Sequence, residues 1–109
     1  MDHTFQDEVS LEIARRVAAR LAASPEPLTV ALDNLNRWSQ QNATAPALLR
    51  CYAEWREILA QPFEQVCARL CEKSDAGQRL RQNSPFAGVL PAAEVWEIKR
   101  HLRHAAIPA

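Results

Sequence analysis

Three cysteines and three histidines are the residues of this chain best suited to metal binding or nucleophilic chemistry, so their spacing is the first thing to weigh. Cys67 and Cys71 stand four apart, which on a helix puts both thiols on one face with Phe63, Val66 and Leu70. Structural zinc sites use close CxxC pairs in twos, and no second pair accompanies this one. The expectation is therefore two small buried hydrophobes, with no metal and no cofactor. Cys51 makes the count odd, and with no export signal in sight the thiols are expected to stay reduced. His3 lies close to the N-terminus, while His101 and His104 follow one another along the polar side of a basic segment. None of them belongs to an HExxH pattern or to a partnered acid/base pair. Gly77 and Gly88 stand too far apart to form a phosphate-cradling loop, and the carboxylates are spread as helix-surface partners. No catalytic residue can be assigned, and a non-enzymatic role is expected.

Two other sets of residues point to binding rather than reaction. Lys99, Arg100 and Arg103, with His101 and His104, form a basic cluster that suits a phosphate backbone, and Arg79 and Arg81 would join it if the last two helices lay side by side. Positive charge at a helix C-terminus is also explained by the helix dipole alone. Trp96, Leu49 and Val30 miss the apolar stripes of their own segments, and off-stripe apolar residues, Trp above all, are candidates for a partner surface.

The elements that must position these residues follow from length, composition and periodicity. A chain of 109 residues supports one modest core, expected to be a single domain over 1–109. Thirteen Lys and Arg balance thirteen Asp and Glu, so no global field draws in nucleic acid or an anionic membrane, and such binding would need a local patch. Two glycines among many Ala and Leu favour helix throughout. The start of the chain has neither a signal peptide's apolar run nor a spanning segment, which predicts a soluble cytoplasmic protein without membrane contact.

Helical spacing places Phe5, Val9, Ile13, Ala14, Val17 and Leu21 on one face of a segment from about Thr4 to Ala23, with Glu12 four before Arg16 on the other. Pro25 and Pro27 end it and open a second helix striped by Leu28, Ala31, Leu32, Leu35 and Trp38. Pro46 opens the strongest element, with Leu48, Cys51, Tyr52, Trp55, Ile58 and Leu59 on one face, predicted to lie at the centre of the bundle. A fourth helix after Pro62 turns Phe63, Val66, Cys67 and Leu70 inward, and Ser74 caps a short fifth. Asn83 to Gly88 is a loop, in which Gly88 permits a positive φ and Phe86 plugs the core. Pro91 then leads into a last helix with Ala92, Val95, Ile98 and Leu102 inside. The fold predicted is all-α, an irregular bundle of five or six short helices.

The stretch Leu80-Arg81-Gln82-Asn83-Ser84-Pro85-Phe86-Ala87-Gly88-Val89-Leu90, followed by Glu94 and Trp96, resembles a pattern in small bacterial all-helical proteins encoded beside toxin-like genes. Tyr52-Ala53-Glu54-Trp55 and Ile58-Leu59 are similar to a helix of the same group. The likeness covers about the C-terminal half, with Asn83 where a small hydroxyl residue is usual and Pro91 at a variable position. It implies an antitoxin-like or regulatory protein that binds the product of a neighbouring gene. The expected function is accordingly a protein-binding module with a toxin-like partner, and self-association is compatible with the sequence. The alternative is a small helical DNA-binding transcriptional regulator using the basic C-terminal helix.

Overall fold

The computed structural model describes residues 4–106, and the expectation about His3 lies outside the described residues. Six helices follow in order: α1 (Thr4–Ala23), α2 (Glu26–Gln41), α3 (Pro46–Leu59), α4 (Phe63–Leu70), α5 (Asp75–Gln82) and α6 (Ala92–Ala106). No strand occurs among the described residues, and no helix among them is long and apolar enough to cross a membrane. The chain is an all-α bundle.

The boundaries have local causes. Pro62 sits outside α4 in an extended conformation, and its carbonyl accepts from Gln65 and Val66. Ser74 caps α5, its Oγ accepting from the Gly77 N–H at 3.1 Å. At Gly77 a Cβ would overlap the Glu72 carbonyl oxygen, so only glycine lets α5 start this close to the end of α4. The Pro91 carbonyl accepts the first bonds of α6 from Glu94 and Val95.

The core holds Trp55, Leu35, Leu70, Leu80, Ile98 and Val17 almost wholly out of water. Trp55 sits at its middle, donating from Nε1 to the Leu80 carbonyl at 3.1 Å and meeting Phe86 edge-on at 6.3 Å. Tyr52 is buried beside Trp38 and its hydroxyl accepts from Asn42. α3 thus carries the largest core side chains, as the stripe predicts.

Its position differs from the expectation. α1 packs closely against α2, α4, α5 and α6, whereas α3 packs closely against α2 and α4 and reaches α5 through the bonds from Trp55 to Leu80 and from Arg79 to Glu54. The reason is side-chain size: α1 buries Val9, Ala14 and Val17, which admit close backbones, while Tyr52 and Trp55 hold their neighbours off. Two stripe residues also face water, Leu32 and Phe63. α2 is turned so that Asn34 is buried instead of Leu32, because Asn34 Nδ2 donates to the Pro85 carbonyl at 2.8 Å and the Ala87 carbonyl at 3.0 Å. Phe63 is the first residue of its helix, beyond the reach of the core that Val66 and Leu70 fill.

Candidate functional site

Two parts of the chain stood out in the sequence: the corner from Leu80 to Leu90, and the last helix. In the structure the corner is built from inward-facing groups. Leu80, Pro85, Phe86 and Leu90 are buried, and Asn34 ties down two of its carbonyls. Gly88 has φ +90°, the left-handed conformation that side chains resist. Arg81, which would join the basic cluster if the last two helices lay side by side, is instead buried, with Nη1 donating to the carbonyls of Leu70 at 3.1 Å and Glu72 at 2.7 Å. Arg79 is a bidentate partner of Glu54, both bonds at 3.1 Å, and holds that carboxyl below its ordinary range. Neither arginine joins the basic residues of α6.

α6 lies on α1, pinned at both ends. Near its start Glu94 accepts from Arg16 Nη1 at 3.1 Å and from Arg20, and Arg16 also pairs with Glu12 at 3.1 Å, the pair that the four-residue spacing predicts. The bonds from Arg20 and then Arg16 hold the Glu94 carboxyl below its usual range, while those to Glu12 and Glu94 raise Arg16. Towards its end the Arg103 guanidinium lies 5.5 Å from the centre of the Phe5 ring on α1. Ile98 is buried between these pins, with Val95 and Leu102 packed against the core.

With the inner face so occupied, helical spacing sends Trp96, Lys99, Arg100 and Arg103 outward together. Trp96 is 65% exposed, in contrast to Trp55 at 0%. Lys99 Nζ stands 5.7 Å from the centre of its ring, and Trp96, Arg100 and Arg103 wall a surface hollow. The residues proposed separately for a protein partner and for nucleic acid therefore form one patch, an indole framed by three cations. Phe5, half-buried against the core on the inner face of α1 as the spacing predicts, also meets Arg103 at the edge of this patch, an encounter that the antiparallel pairing of α1 with α6 brings about.

The other partner candidates do not join that patch. Leu49 is half-buried and packs against the core at the first turn of α3. Val30 is half-buried in α2 beside Gly88 and Val89. His101 and His104 are exposed at the end of α6. Cys51, Cys67 and Cys71 are half-buried free thiols, and burial pushes the thiols of Cys67 and Cys71 above their ordinary pKa, which makes them weak nucleophiles. Among the described residues no group of three or more His, Cys, Asp or Glu converges on a point that a metal ion would occupy.

Comparison of the chain with models of protein families, with curated proteins and with solved structures finds no match.

Proposed function

We propose that the chain is a non-enzymatic protein-binding module of antitoxin-like or regulatory kind, and that it docks through the outer face of α6 onto an acidic surface of a partner encoded nearby. The observation that carries this reading is Trp96, a large apolar ring left 65% exposed on a helix whose other face is firmly packed. Trp and Arg are the side chains that most often dominate binding energy at protein interfaces, because each combines large contact area with a directed polar group. Lys99, Arg100 and Arg103 around the ring would select a negatively charged partner and speed its approach. The resemblance of the C-terminal half to proteins encoded beside toxin-like genes supports a toxin-like partner.

The same three cations on one face favour a second reading, a small DNA-binding regulator, since a ring and neighbouring cations also suit a nucleic-acid strand. The chain's zero net charge favours the protein partner, because phosphate binding draws most of its strength from accumulated positive charge. One experiment separates the two: titration of the purified chain with the product of the adjacent open reading frame and, in parallel, with duplex DNA across a salt series. Saturable one-to-one binding of the protein, with DNA binding absent, supports the module. DNA binding that weakens steeply with salt while the neighbouring product is ignored would move the assignment to the regulator.

A further inference from the structure

Between α1, the corner and the start of α6 lies a hollow of about 290 Å³, at the lower end of the ~300–1,000 Å³ over which small-molecule sites range. Its walls are mostly apolar, formed by Ile13, Val17, Phe86 and Leu90 among others. Ser10, Gln82 and Ser84 contribute neutral polar groups, and Arg81 is the only ionised side chain on its lining.

The state of that arginine suggests an occupant. Arg81 is 8% exposed, and no carboxylate among the described residues lies within ion-pair distance of it. Nη1 is satisfied by two backbone carbonyls and Nε donates to Ser10 Oγ at 3.3 Å, all neutral acceptors. Nη2 finds no acceptor among the described residues, yet it is not sealed away, since the buried side-chain nitrogen left without a partner is on Arg20. Burial draws the guanidinium below the usual arginine range, with Asp7 and Glu72 opposing this only from beyond contact distance. A buried charge with no counter-ion is costly, and an anion placed against it removes the cost. Arg81 also borders two more polar hollows, but Asp7 flanks both and repels an anion there, whereas the apolar hollow carries no acid.

We propose that this hollow binds a small apolar monocarboxylate, its hydrocarbon against Ile13, Val17, Phe86 and Leu90 and its carboxylate on Arg81. The apolar walls specify the body of the ligand, the single cation specifies one negative charge, and the volume suits a short chain or a single ring.

Octanoate and octanol serve as the probes, followed by calorimetric titration and thermal melting of the full chain. Octanoate is expected to bind saturably and raise Tm, with octanol weaker by roughly tenfold or more because it cannot pair with the cation. Arg81 braces two carbonyls, so its replacement risks unfolding; Ala87→Phe is the better variant, since Ala87 is exposed at the hollow's edge and a ring there obstructs entry. That variant is expected to melt as wild type does and to lose octanoate. Equal binding of octanol, equal binding of acetate, undiminished binding of octanoate by the well-folded variant, or no saturable binding of octanoate through the low millimolar range would each overturn the proposal.

Discussion

The corner from Leu80 to Leu90 and the outer face of α6 are neighbours in sequence and are held in opposite ways. Each notable corner residue has a partner or a conformational duty: Leu80 receives the Trp55 N–H, Arg81 holds α4 to α5, Phe86 meets Trp55, and Gly88 turns the chain. On α6 Glu94, Arg103 and the inner apolar residues have such duties, while Trp96 extends into solvent. A run of distinctive residues therefore does not mark a site by itself. Most corner residues are explained by the fold alone, with Arg81 keeping a buried charge that has no counter-ion beside it, whereas the fold gives Trp96 no packing to explain it.

The sharpest way to break this contrast is at Trp55. Trp55→Ala removes a fully buried indole and its hydrogen bond, and is expected to cost about 3–5 kcal/mol, enough to leave the chain largely unfolded at room temperature. A denaturant midpoint close to wild type would contradict the placement of the core.

The two glycines sharpen it further. At Gly77 an added Cβ meets backbone, the Glu72 carbonyl, which cannot rotate aside, so Gly77→Ala is expected to cost about 2 kcal/mol or more. Gly88 has open space around it and only its φ of +90° to lose, so Gly88→Ala should cost about 1–2 kcal/mol. Urea melts of the two variants side by side test the order; a reversal would mean that conformation, not space, limits this region.

Smaller still is the effect at the pin of α6. Because its folded-state pKa lies below the ordinary carboxylate value, Glu94 contributes stability that is present above about pH 4.5 and is lost as the pH falls through the depressed value. Glu94→Gln is expected to lower Tm modestly at neutral pH and to flatten the fall in Tm between about pH 5 and 3. An unchanged acid limb would show that α6 is held by Ile98 and its apolar neighbours alone.

How much of this the sequence disclosed depends on the kind of force at each residue. Burial of Tyr52, Trp55 and Ile98, the plug at Phe86 and the positive φ at Gly88 follow from periodicity and from the chemistry of glycine and proline, which act locally. The burial of Asn34 and Arg81 does not follow, since each is set by carbonyls distant in sequence that no spacing rule anticipates. The demand for glycine at position 77 is hidden for the same reason, because it arises from the approach of two helices. On α6, Trp96 was legible as a residue off its stripe and the cations as a cluster. Their union with Phe5 at one edge depends on the pairing of α1 with α6, which the sequence does not encode in any local signal.

The claim on which the account turns is that Trp96 is idle in the fold and engaged in binding. Trp96→Ala, melted alone and then titrated with the product of the adjacent open reading frame, tests both halves in one variant. The expected result is a stability within about 0.5 kcal/mol of wild type together with loss of binding. Unfolding of the variant would place Trp96 in the core, and undiminished binding by a well-folded variant would remove α6 as the docking face.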